Sequence, residues 1–180
     1  GQAIDWHTGR AESLPFADNA FDVVLSSFGV MFTPNHTRAA SELVRVCRRG
    51  GRIGLANWTP RGFIGRLFVL IGRYAPQPAA LTSPAQWGVD EYLDGLFGSA
   101  ASDIHTQPRD FVFRYHSPAH WIDVFRTWYG PVHRAFASLS DEARRRLERD
   151  LIDLIQEFNR SGDTTMVVPA EYLEVVVVKR

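Results

Sequence analysis

The sequence predicts an α/β fold built on a parallel sheet, and three successive segments carry that reading. Phe21-Asp22-Val23-Val24-Leu25-Ser26-Ser27-Phe28 is a nearly continuous apolar run with β-branched residues, the pattern of a strand buried on both faces. Thr33-Pro34-Asn35 then offers helix-start chemistry. Ala39, Ala40, Leu43, Val44 and Cys47 recur at helical spacing until Gly50-Gly51, which reads as a helix stop. Ile53 to Asn57 reads as the next strand, so the three segments form the crossover unit that parallel pairing requires.

The remaining elements follow in order. Pro60, Gly62, Gly65, Pro76, Pro78 and Pro84 break up the middle of the chain, which reads as an insertion of short helices. Ser83-Pro84 and Ser117-Pro118 each set an N-cap before a proline at the first helical position, and these helices are expected to end near Gly98 and Gly130. Between them Phe111, Phe113 and Tyr115 alternate with Val112, Arg114 and His116, a half-buried strand signal. Ser140 is placed to cap a long helix whose Ala143, Leu147, Leu151, Leu154, Ile155 and Phe158 form an apolar stripe. Tyr172 to Val178, with four consecutive valines, reads as a central strand.

Composition narrows the function classes. The 180 residues, 45% hydrophobic, suffice for one sizeable core. Twenty basic residues balance twenty acidic ones, so no net field attracts nucleic acid or an anionic membrane, and the expected partner is a small molecule. The single cysteine, Cys47, forms no internal disulfide, and the expected address is cytoplasmic. No apolar run approaches the roughly 20 residues of a membrane span, and Gly1 to Trp6 has no signal-peptide character.

Familiar catalytic signatures are missing. Leu25-Ser26-Ser27-Phe28-Gly29 lacks the first glycine of a nucleophile elbow, and there is no P-loop. The six histidines and one cysteine show no metal-ligand spacing, so no metal site is expected. Gly50, Gly51 and Gly54 precede a strand, the wrong side for a dinucleotide-binding turn.

A set of motifs in order remains. Gly9-Arg10-Ala11-Glu12-Ser13-Leu14-Pro15-Phe16, then Asp18 and Phe21-Asp22, then Ser26-Ser27-Phe28-Gly29, then Leu43-Val44-Arg45-Val46-Cys47-Arg48-Arg49-Gly50-Gly51, resembles class I S-adenosylmethionine-dependent methyltransferases of the ubiquinone-biosynthesis type. The resemblance implies a Rossmann-like sheet of order 3-2-1-4-5-7-6 with S-adenosyl-L-methionine across its carboxyl edge. Ile4 to His7 would be strand 3, Phe21 to Ser26 strand 4, Ile53 to Asn57 strand 5, Asp110 to Tyr115 strand 6 and Tyr172 to Val178 strand 7. Too few residues precede Ile4 for a strand, helix, strand unit of about 30 residues. The expectation is therefore an incomplete sheet without the glycine-rich cofactor turn, a single partial domain over 1–180 with a helical, aromatic insertion over 58–131.

The resemblance also assigns a site. Arg10, Ala11 and Glu12 after strand 3, and Ser27, Phe28 and Gly29 after strand 4, would contact the cofactor. Members of the family carry an acidic residue where this chain has Arg10, and a guanidinium offers no acceptor, so Ala11 N–H with Glu12 would hold adenine or its recognition is altered. Methyl transfer asks chiefly for alignment and exclusion of water. Where the acceptor is a hydroxyl or acidic carbon, His36 is the candidate general base. Trp58, Trp128 and Tyr129, with other aromatics of the insertion, would wall a pocket for an apolar or aromatic acceptor, or pack as core. The alternative function is a non-catalytic methyltransferase-like module that binds a small molecule or protein, and an uncovered strand edge leaves homo-oligomerisation open.

Overall fold

The computed structural model describes residues 4–76, 78 and 81–180. Four strands form one sheet: β1 (Phe21–Ser27), β2 (Cys47–Trp58), β3 (Ala101–Tyr115) and β4 (Met166–Lys179). Their order is β1-β2-β4-β3, so the last strand lies between its two predecessors. Among the described residues six α-helices accompany them: α1 (His36–Val46), α2 (Phe63–Tyr74), α3 (Asp90–Phe97), α4 (Pro118–Trp128), α5 (Gly130–Ser138) and α6 (Asp141–Phe158). No helix among the described residues is long and apolar enough to cross a membrane.

The chain divides into two compact units, residues 1–57, 86–107 and 173–180 in one, residues 58–85 and 108–172 in the other. In the first, β1 pairs with β2 in parallel register, Val24 opposite Ile53 and Ser27 opposite Ala56, with α1 as the crossover. Asn35 caps α1 by accepting from Arg38 N at 2.9 Å. Lys179 Nζ ties the end of β4 to Cys47 O (2.8 Å) and Asn19 Oδ1 (3.0 Å).

The second unit is built around aromatic rings. Phe63 meets Trp121 at 5.3 Å and Phe158 at 5.7 Å, Trp121 stacks on Phe125 at 3.9 Å, and Trp58 packs on Phe113 and Tyr172. The buried stripe of α6, Leu147, Leu151, Leu154 and Ile155, packs with α2 and α4. Thr59 Oγ1 accepts from Gly62 N at the start of α2 and donates to Glu171 Oε1 at 2.7 Å. A β-carbon at Gly65 would overlap the Thr59 carbonyl oxygen, so this helix start admits glycine only.

Several expectations are corrected. Ile4 to His7 is not a strand: residues 4–9 have no regular structure, because no neighbouring strand supplies hydrogen bonds, and Gly1 to Ala3 lie outside the described residues. β1 is not buried on both faces. It is an edge strand in this sheet, and Phe21, Val23 and Leu25 are 36%, 53% and 76% exposed. Gly50-Gly51 does not stop α1, which ends at Val46; Gly50, at φ +69°, sits in a bulge of β2 where the register jumps from Phe21–Cys47 to Val23–Arg52. The helix capped by Ser117 does end beside Gly130, at Trp128, and Gly130 itself opens α5. β2, β3 and β4 all extend beyond the expected Ile53 to Asn57, Asp110 to Tyr115 and Tyr172 to Val178, since ladder pairing carries strands past the apolar residues that betray them.

The uneven burial along the sheet makes a sharp contrast measurable. Ile53→Ala, at a fully buried position, costs about 2–5 kcal/mol in chemical denaturation. Leu25→Thr, at an exposed position of the edge strand, changes stability by only about 0.5 kcal/mol in the same measurement.

Candidate cofactor groove

A groove of about 440 Å³ runs along β1, from Phe21 to the turn that follows the strand. One wall is β1 itself with the turn that follows, including Ser26, Gly29 and Val30. The loop before β1 gives Ala11, Leu14 and Phe16, and α1 gives Leu43 and Val46. The lining is apolar apart from Ser26, which suits binding and exclusion of water better than proton transfer.

The turn after β1 is shaped by two local devices. Phe28 takes φ +54°, a left-handed conformation uncommon for a bulky side chain, while its N–H donates to Ala56 O at 2.9 Å. Gly29 then starts a short 3₁₀ turn over Val30–Phe32, and Ser26 Oγ accepts from Val30 N at 3.0 Å.

The other wall has no helix or ladder of its own, only an isolated bridge between Arg10 and Ser13. Side chains of α1 hold it. Glu42, almost fully buried, accepts Leu14 N at 2.8 Å and the Nε and Nη2 of Arg45 at 2.8 Å each. Arg45 also donates to Leu14 O (3.0 Å), Phe16 O (2.7 Å) and Asp18 Oδ1 (2.8 Å), and Arg38 Nε donates to Glu12 O (3.0 Å). Hydrogen bonds from Arg45 outweigh burial and, with Leu14 N–H, pull the Glu42 carboxyl down to about 2. The same contacts with Glu42 and then Asp18 raise the Arg45 guanidinium further above its ordinary value.

Of the cofactor residues expected from sequence, Ala11 and Gly29 line the groove. Arg10 is exposed and lies 3.8 Å from Glu12 Oε2. Glu12 is 13% exposed, and its Oε1 is buried without a hydrogen-bond partner. Ser27 is exposed at the end of β1 and Phe28 is half-buried; neither lines the groove, which Ser26, one residue earlier, does.

The candidate base His36 lies on α1. It is buried in the core of the first unit, with Nδ1 2.8 Å from Tyr92 Oη and its ring against Trp87. Burial lowers its pKa, outweighing a raising hydrogen bond with the Met31 backbone, so it is a packed neutral histidine away from the groove lining. Trp58, Trp128 and Tyr129 belong to the second unit. Trp58 is buried among Phe111, Phe113 and Tyr172, Trp128 is 82% exposed, and Tyr129 keeps a buried hydroxyl without a partner whose pKa burial raises. Among the described residues no three His, Cys, Asp or Glu side chains group to hold a metal ion. Sequence reasoning missed Ser26, Glu42 and Arg45. The legible sign was Glu42 itself, a charge falling on the same helix face as Ala39, Leu43 and Val46.

Residues 1–55, which contain the whole groove lining, match the family model described as "Methyltransferase domain". Among solved structures, the YcgJ protein of Bacillus subtilis aligns with a TM-score of 0.55 at 21% identity, covering 96% of this chain and 69% of that one. A methyltransferase candidate from Bacillus halodurans C-125 aligns with a TM-score of 0.56 at 19% identity, covering 98% and 78%. The fold is that of the Rossmann-like methyltransferases. Among curated relatives, an uncharacterized protein of Mycobacterium tuberculosis is 41% identical over 177 residues, 96% of this chain and 63% of the relative. A second from that organism is 38% identical over 184 residues, 100% of this chain and 66% of the relative. The chain thus spans somewhat less than two thirds of the length of these relatives. The ubiquinone/menaquinone biosynthesis C-methyltransferase of Roseobacter denitrificans is 50% identical over 50 residues, 28% of this chain and 20% of that one.

The buried His36 makes a pH prediction. Its pKa lies below the ordinary 6.5, so as pH falls below 6.5 the unfolded chain takes up a proton that the folded chain refuses, and stability falls. His36→Phe keeps a ring against Trp87 and removes that contribution. The difference in unfolding free energy between wild type and variant therefore loses its slope above pH 6.5 and changes below it, as read by urea titrations across pH.

Proposed function

We propose that this chain carries part of the cofactor-binding side of an S-adenosylmethionine-dependent methyltransferase acting on a small, apolar or aromatic molecule. One observation carries the reading: the groove that runs along β1 and reaches the turn at its carboxyl end lies wholly within the segment that matches the methyltransferase domain. Ligands of open α/β sheets sit beyond the carboxyl ends of the strands.

The residues present fit the adenine end of the cofactor. Ala11 lines the groove and has a backbone N–H, and the neighbouring Glu12 has a buried carboxylate oxygen with no partner. A donor beside an acceptor complements an adenine edge, which offers an amine and a ring nitrogen. Arg10, exposed and without an acceptor, leaves that task to Glu12. Gly29 and Ser26 bound the opposite wall. Bound S-adenosylmethionine supplies a methyl group already activated by its sulfonium, so the chain's own work is to orient, to hold the acceptor in line and to keep water out.

For the acceptor side, Trp128 offers an exposed indole and Tyr129 a hydroxyl without a partner. The Roseobacter denitrificans relative, together with a demethylmenaquinone methyltransferase of Renibacterium salmoninarum that is 27% identical over 157 residues, supports an aromatic, apolar acceptor of quinone type.

Calorimetry with S-adenosylhomocysteine, on this chain and on a protein of the relatives' full length, tests the reading. Saturable binding is expected. Ala11→Leu, which fills the groove, weakens it by about tenfold or more, and Glu12→Gln by about tenfold. Binding that is unmoved by both changes places adenine elsewhere, and no binding by either protein leaves a non-catalytic module as the better account.

A further inference from the structure

We propose that Glu42 is a positioning residue for cofactor binding: with Arg45 it holds the loop of Ala11 to Asp18 in the form that walls the groove, although neither side chain lines it. The inference rests on the cofactor reading above. It begins from where the loop's backbone bonds go. Between Arg10 and Asn19 the chain has no ladder and no helix, so its shape must be set by side chains reaching in.

One ion pair supplies most of them. The Glu42 carboxylate takes the guanidinium of Arg45 through both oxygens and uses Oε2 again for Leu14 N. The rest of the Arg45 fork is spent on Leu14 O, Phe16 O and Asp18 Oδ1, and its own carbonyl accepts Asn19 N at 2.9 Å. The carbonyls of two alternate residues, 14 and 16, are thus turned towards α1. Ala11, Leu14 and Phe16 form the wall that results.

Geometry makes the pair hard to replace. A lysine at position 45 has no planar fork and cannot meet a carboxylate side-on while also serving two carbonyls. A glutamine at position 42 keeps one acceptor but turns an amide N–H₂ towards the guanidinium, donor against donor. Because Glu42 is buried, the mispaired group is not rescued by water. The low carboxyl value adds that the clamp stays charged throughout the ordinary working range of pH.

The test compares Glu42→Gln and Arg45→Lys with wild type by calorimetry with S-adenosylhomocysteine and by hydrogen exchange. Leu147→Ala, a core change in the second unit, serves as a variant of comparable or greater destabilisation. Both clamp variants are expected to weaken binding by about tenfold or more, to raise exchange over residues 10–19, and to leave exchange of β2 near wild type. Leu147→Ala is expected to bind as wild type does while folded. Should Glu42→Gln fail to fold, Arg45→Lys carries the comparison. The proposal is overturned if the folded clamp variants bind within twofold of wild type, or if Leu147→Ala loses as much affinity as they do. If wild type itself does not bind, the cofactor reading fails, whereas unaltered exchange over 10–19 in the variants defeats the positioning claim by itself.

Discussion

Parallel pairing of β1 with β2 is the constraint on which the candidate site depends. It sets Ser27 opposite Ala56, brings the Phe28 N–H onto Ala56 O, and so fixes where the chain turns out of the sheet. The pairing needs a crossover, and α1 supplies it. That helix then serves twice, giving Leu43 and Val46 to the groove and Glu42 and Arg45 to the loop opposite. One strand, helix, strand unit therefore determines both walls.

The chemistry of the groove follows from that economy. Its lining carries no titratable side chain, and the ionic cluster next to it is committed to its own ion pairs and to loop backbone groups. Such a place binds and orients. Among the described residues, the buried side-chain polar atoms without partners are Glu12 Oε1, both amide atoms of Asn57 and Trp87 Nε1 in the first unit, and His120 Nδ1, Trp121 Nε1 and Tyr129 Oη in the second.

Much of this was legible in the sequence where local signals are strong. The apolar run of β1, the helical spacing of α1, the serine caps of α4 and α6 and the valine-rich β4 were all readable, because each depends on periodicity or on a cap. What was not legible depends on partners. Val23 and Leu25 read as buried and are exposed, since burial belongs to the neighbour and not to the residue. Gly50 read as a helix stop and lies in a strand bulge, since both need the same positive φ. In the site, Ala11 and Gly29 could be read from a motif. Glu42 could not, because its partners lie 28 residues away at Leu14 and its role exists only once the loop has folded back. His36, a residue type with catalytic chemistry, lies in the core beside Tyr92 and Trp87, partners more than 50 residues away that local sequence does not reveal.

The strand order has a consequence for synthesis. β2 and β3 leave the ribosome before β4, yet in the finished sheet they are separated by it and pair with each other nowhere in the order β1-β2-β4-β3. Until Met166–Lys179 arrives, two long strands must each wait with an inner edge uncovered, and neither unit is whole, since each takes half of β4. Long-range closure of this kind is slow and leaves sticky edges exposed in the meantime. The open sheet is thus most exposed to wrong pairing until the valine-rich β4 closes the gap between β2 and β3.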